Sequence, residues 1–347
     1  MNFSASRRRR PLRRGDVVEV KSAAEILATL DGNASINAMP FMPEMMQYLG
    51  RRFTVSRRVD KICDTIAWTG SRRMHDTVYL EDLRCDGSHH AGCQAGCKIY
   101  WKEAWLRKVG DETAPASTNE SESATTDLEK LAVAGTRTVR EFDGVPTEVW
   151  RCQATEALKA TEHLRGYDLR PHWRELTNGN FEPLRFFRIL SYVVYLRIRK
   201  ALGLLKPLPL HGAGDKQEHG KPLNLQPGEL VQVLSPEEIA PTLDETGLNF
   251  GLSFDREMMP YCGKTLRVKD RVRTIVDDKT GRLLTIRRDC LILEGAVCSG
   301  ERTVGCWFCP REIYAFWREA WVRRVDEPAH NEKSSAPEHS IANVGKP

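Results

Sequence analysis

Cys85, Cys93 and Cys97 stand close together with Gly87, Gly92 and Gly96 between them, and Trp101 and Trp105 follow directly. The arrangement is written again as Cys298, Cys306 and Cys309, interleaved with Gly300 and Gly305 and followed by Trp317 and Trp321. Glycines let a loop turn through positive φ, and a loop of that kind can wrap an ion. A tetrahedral zinc site takes four thiolate or imidazole ligands at about 2.0–2.3 Å, so each triplet is one short. In the first loop the fourth ligand is Cys152, His89 or His90. Cys152 is preferred, because Arg151-Cys152-Gln153-Ala154 echoes Gln94-Ala95 beside Cys93. In the second, Cys290 or Cys262 would complete the set, and Cys306-x-x-Cys309 is a recurrent chelating spacing.

The ordinary alternative for any cysteine is a reduced thiol packed like a small hydrophobe. That reading is preferred for Cys63, Cys262 and Cys290, which fall on or beside expected strands. Metal is preferred for the first triplet, and the second leaves both readings open. All-cysteine ligation suits zinc or an iron–sulfur cluster. Zinc is expected, because small β modules use a structural metal to hold loops.

No His-Glu-x-x-His or His-x-Glu arrangement accompanies the cysteines, which argues against an open catalytic zinc. A metal-dependent or redox enzyme using Cys85, Cys93 and Cys97 with His89 or His90 remains the alternative. There is no phosphate-cradling glycine loop, no Gly-x-Ser-x-Gly and no dinucleotide fingerprint.

Two modules must position these thiols. Over 15–109, Gly15 to Val20 alternates like a strand, and Ser22 with Glu25 makes a capping box for a helix over 23–30. A short helix follows at 43–50, then a long strand over 51–63 and a returning strand over 77–81. Residues 227–325 repeat this. Setting Gly15 on Gly228 and running without a gap to Gly87 on Gly300 gives 25 identities in 73 positions, which points to internal duplication. The four-residue spacing of each tryptophan pair predicts one helical face closing the core.

The expected fold is therefore mainly β with short helices (α+β), as two tandem, strongly bent antiparallel barrels. The strand Gly-Asp-Val-Val-Glu-Val, then Glu-Ile-Leu-Ala-Thr-Leu-Asp, ahead of a Cys-rich hairpin resembles a bacterial family with a duplicated, SH3-like module. That family carries no known activity, so the resemblance implies no catalytic residue.

The flanking stretches read differently. Residues 1–14 are a basic arm and 110–135 an acidic Ser/Thr-rich linker, both expected to be disordered, as is the tail 326–347. Residues 136–226 connect the modules. A strand over Val139–Cys152 is expected to bring Trp150 and Cys152 back against the first module. A helix over 186–205 gathers Arg185, Arg188, Arg199 and Lys200 toward one side, with Phe187, Leu190, Val194, Ile198 and Leu205 on the other.

A net charge of +5 over 347 residues is too small to indicate nucleic acid by itself. No long uncharged apolar run predicts a transmembrane span, and no secretory signal is evident. The expected compartment is the bacterial cytosol, where ten reduced cysteines favour metal over disulfides. The expected function is metal-dependent scaffolding, with another protein as partner. Nucleic acid on the basic hairpins (Arg51, Arg52, Arg57, Arg58, Lys61, Arg72 and Arg73, echoed after Lys264) and peripheral membrane contact through 186–205 stand as alternatives.

Overall fold

The computed structural model describes residues 10–110, 122–166, 168–206, 208–212, 222–303 and 305–325. The chain is mainly β with a minority of helix. In the first module, β1 (Val17–Val20) is followed by α1 (Ala23–Leu27), β2 (Arg52–Arg58), β3 (Lys61–Cys63), β4 (Ser71–Arg73), β5 (Thr77–Leu80), β6 (Trp101–Lys102) and β7 (Leu106–Lys108). The principal sheet runs β6-β5-β2-β1-β7, open at both ends, so its hydrogen bonding does not close into a barrel. Alternation on β1 sends Val18 and Val20 into a core with Ile26, Phe41, Met45, Val55, Trp101 and Trp105. Ser22 caps α1 as expected, its hydroxyl accepting from the Glu25 N–H while the Glu25 carboxylate accepts from the Ser22 N–H.

The tryptophan pair is not helical. Trp101 pairs with Val78 in the sheet, and Glu103–Trp105 makes a single 3-10 turn. Both indoles are nevertheless fully buried. Trp105 Nε1 donates to Thr29 Oγ1 over 3.2 Å, and Phe41 meets its ring edge-on at 5.4 Å. A ladder bond and a buried indole partner decide the backbone here, against the helical spacing.

The middle of the chain supplies α2 (Glu122–Ala134), the hairpin β8 (Arg137–Phe142) and β9 (Val145–Trp150), α3 (Gln153–Glu156), α4 (Arg170–Thr177) and α5 (Pro183–Ala201). Helix α2 occupies the second half of the stretch read as a linker, because Leu128 and Ala132 bury against the first core; residues 111–121 lie outside the described residues. Of the basic arm, residues 1–9 likewise lie outside, while Leu12 is buried and Arg14 reaches the Gly179 carbonyl. The tail from 326 lies outside too.

Helix α5 buries Phe186, Ile189, Val193 and Leu196, not the strip the sequence suggested. Phe186 stacks on Phe308 at 4.9 Å, beside Phe181 and Trp307. The expected apolar strip, Phe187, Leu190, Val194 and Ile198, is exposed. The helix is apolar on two sides, and aromatic stacking selects which one docks. No helix among the described residues is long and apolar enough to cross a membrane.

The second module contains β10 (Leu230–Val233), α6 (Pro236–Ile239), β11 (Thr265–Arg271), β12 (Thr274–Val276), β13 (Leu283–Thr285), β14 (Leu291–Val297), β15 (Tyr314–Trp317) and β16 (Val322–Arg324). Its sheet runs β15-β14-β11-β10-β16, the order of the first sheet. Trp321 Nε1 donates to Thr242 Oγ1 over 2.9 Å, and Phe254 meets Trp321 edge-on at 5.4 Å.

The hairpins β3–β4 and β12–β13 each reach the opposite module, β3 at Trp307–Cys309 and β12 at Cys93. Their cations are not simply arrayed on an outer face. Lys61 is fully buried, with its Nζ donating to the carbonyls of Trp307 (2.6 Å) and Phe308 (2.7 Å). Arg58 is buried between Asp60 and Glu103, and Arg57 pairs with Glu312. A buried charge is tolerated only where such partners meet it, and here they do.

Candidate metal centres

Cys85, Cys93, Cys97 and Cys152 line one cavity of about 30 Å³, together with Glu44, His90, Val276 and Asp278. The loop is wound by its own backbone. Cys85 N–H donates to the Cys97 carbonyl, and His90 and Gly92 N–H both donate to that of Gly87. Gly87 has φ +74°, and a Cβ there would lie 2.1 Å from the Cys93 carbonyl oxygen, so no other residue fits the turn. Cys152 arrives as the N-cap of α3, immediately after β9. Its neighbour Gln153 fixes the approach, donating to the Pro40 and Tyr100 carbonyls and accepting from the Tyr100 N–H.

His90, not His89, faces the thiols. His89 is exposed, whereas His90 is buried with Nε2 3.2 Å from Cys85 Sγ. Ligand atoms of Glu44, Cys85 and His90 all lie within 4.8 Å of one another. Glu44 was not singled out in the sequence, although its identity with Glu257 across the repeat was visible. Two buried polar atoms here, Glu44 Oε2 and His90 Nδ1, have no hydrogen-bond partner.

Burial pushes the Cys85 and Cys97 thiols strongly upward, with the Glu44 carboxylate adding to it at Cys85 and Asp278 at Cys97. Cys152 is pushed up to about 12 by burial. Burial and desolvation also lower His90. Burial thus favours the protonated thiols of Cys85, Cys97 and Cys152, and a divalent cation reverses that preference by holding thiolates. The cavity is small, about 30 Å³, and the four thiols and His90 line it together. Soft thiolates with one imidazole suit zinc.

A second group gathers Cys63, Cys306 and Cys309, all buried. Cys63 Sγ lies 3.1 Å from Cys309 Sγ, and Cys63 N–H donates to Cys309 Sγ at 3.3 Å. Cys298 opens the same loop, two residues before Gly300, which packs against the Cys309 backbone; burial raises the Cys298 thiol, and Glu257, Cys309 and Cys63 add to the effect. The residues expected to complete this set do not. Cys290 packs with Val272, Ile292 and Tyr314, and Cys262 lies against the second apolar core. Cys63, read in the sequence as a packed strand residue, takes that place instead. All ten cysteines are free thiols.

The two loops exchange supports. Val276 N–H donates to Cys93 Sγ at 3.2 Å, and the gapless repeat sets Val276 on Cys63. Gln94 adds a bond to the Arg271 carbonyl and accepts from the Arg273 N–H. Arg311 is buried between the two groups, reaching the Cys63 carbonyl at 3.4 Å and Asp278 at 3.4 Å. Two wider clefts, of about 610 and 750 Å³, lie elsewhere around Arg73, Leu169 and Arg170, and no cysteine lines either.

No protein family, curated protein or solved structure matches this chain.

Proposed function

We propose that the chain is a zinc-binding scaffold of the bacterial cytosol, built from two duplicated SH3-like modules. The convergence of Cys85, Cys93, Cys97 and Cys152 with His90 on one small cavity carries this reading. The ligands are drawn from these five donors. His90 stands three residues before Cys93, as Cys306 stands before Cys309, and both histidine and thiolate are ordinary zinc ligands. Orphaned Glu44 Oε2 and His90 Nδ1 support an ion or its outer shell there. Bound zinc fastens the loop 85–97 to α3, and the β12 hairpin covers it from the second module. Matching sheet orders and the two Trp–Thr hydrogen bonds support duplication.

The role is organisation of a surface for another protein, for which the exposed strip Phe187, Leu190, Val194 and Ile198 is the supporting feature. Internal pairing of Arg57, Arg58 and Lys61 weighs against nucleic acid on the first hairpin. Elemental analysis of protein purified without added metal tests the proposal. Stoichiometric zinc, of which one equivalent departs in Cys85→Ser and in Cys152→Ser, is expected. Absence of bound metal with all thiols freely titratable removes the proposal, and iron with dithionite-bleached absorbance replaces zinc by an iron–sulfur cluster.

A further inference from the structure

We infer that Cys63, Cys298, Cys306 and Cys309 form a second, tetrathiolate zinc site, whose Cys63 ligand is contributed by the opposite module, so that the ion staples the two modules together. None of these residues lines the first cavity, and the inference stands without zinc there.

Three buried thiols gather from two distant parts of the chain, Cys63 on β3 and Cys306 and Cys309 on the loop after β14, and Cys298 opens that loop at the position matching Cys85. Packing alone does not account for this. At the matching position of the other hairpin Val276 fills the space against Cys93, so an apolar side chain suffices for contact and backbone support. The loop is also shaped for wrapping. Gly300 has φ +66°, and a Cβ there would lie 2.6 Å from both the N and O of Cys309. Glu257 ties the rest of the loop down, accepting from the N–H groups of Ser299, Arg302 and Thr303 at 2.6–3.1 Å.

Charge agrees as well. Zinc with four thiolates carries a net charge of about −2, which burial forbids without nearby cations. Lys61 and Arg311 are both buried beside the group, Lys61 on the Trp307 and Phe308 carbonyls and Arg311 on the Cys63 carbonyl. The Cys63 N–H to Cys309 Sγ bond is a donor of the kind that stabilises a coordinated thiolate. On binding, Zn²⁺ displaces the four thiol protons to solvent and forms four Zn–S bonds, with no redox change.

The test is metal content per chain in wild type, Cys63→Val, Cys309→Ser and Cys152→Ser. Two equivalents are expected in the wild type and one in each variant. Wild-type metal content in both Cys63→Val and Cys309→Ser overturns the inference. So does a Cys63–Cys309 disulfide in peptide maps of the protein as isolated. Should the variants fail to fold, alkylation of the zinc-loaded wild type gives the same answer: Cys63, Cys298, Cys306 and Cys309 are protected together and released together by chelator, and independent alkylation of the four overturns it. A single equivalent kept by Cys152→Ser and lost in Cys63→Val would remove the first-cavity proposal and leave this one; the reverse pattern would do the opposite.

Discussion

Cys63 donates its backbone N–H to Cys309 Sγ across 3.3 Å, although 246 residues separate them in the chain. Val276 makes the reciprocal bond to Cys93 Sγ at 3.2 Å. Each cysteine loop is therefore supported by a hairpin that belongs to the other half. The β3–β4 hairpin brings a cation into a buried position at that contact, where charge is ordinarily unwelcome.

Lys61 shows the energetic consequence. Its ammonium is fully buried on two carbonyls and lies 3.5 Å from buried Glu175, whose carboxyl is raised by burial. Lys61→Met should destabilise the chain by about 3–5 kcal/mol, because the carboxylate and both carbonyls lose their partner. Urea unfolding measures this, and adding Glu175→Gln should recover part of the loss.

Gly87→Ala and Gly300→Ala should each loosen one cysteine loop, since the new Cβ meets the backbone of Cys93 or Cys309. Competition with a chromogenic chelator should show zinc released more readily. Gly50→Ala also has positive φ but meets nothing within 4 Å, so it should lower stability by about 1 kcal/mol and leave zinc release unchanged.

Cys290→Val and Cys262→Ala should leave metal content at the wild-type value. Cys290 sits among Val272, Ile292 and Tyr314, and burial pushes its thiol up to about 11. Alkylation at neutral pH should therefore be slow at Cys290 in the folded chain. A metal equivalent lost in Cys290→Val would contradict the ligand assignment.

His172 should confer acid sensitivity. Burial, then Lys61 and Arg197, lower it to about 4, with Asp168 acting weakly the other way. The unfolded chain binds the extra proton between pH 4 and about 6.5, so stability rises with pH across that window. The contribution is complete above about 6.5, and up to about 3 kcal/mol is lost as pH falls through 6.5 toward 4. His172→Phe should flatten this part of a denaturation profile recorded against pH.

The place of Cys152 beside the first cysteine loop was legible in the sequence, because the segment around it had no other evident use for a thiol and the strand before it was expected to return to the first module. Cys63 was not. On β3 it looks like any strand residue, and its partners come from a segment no local pattern connects to it. The one available clue was its pairing with Val276 in an otherwise similar stretch. The tryptophans were correctly read as core, but their spacing suggested a helix where sheet pairing and the indole–threonine bonds impose a strand and a turn. For α5, periodicity gave one apolar strip, Phe187, Leu190, Val194 and Ile198, and the structure buries Phe186, Ile189, Val193 and Leu196 instead, because Phe186 stacks on Phe308.

The crossed hairpins make the two halves mutually incomplete. A fragment ending after α5 would present β3 with no loop to cover, and a fragment beginning before β10 would present thiols with no lid. Expressed apart, such pieces should be insoluble or promiscuously sticky; mixed, they should reassemble, and the protein would then behave as a heterodimer that happens to be encoded in one reading frame.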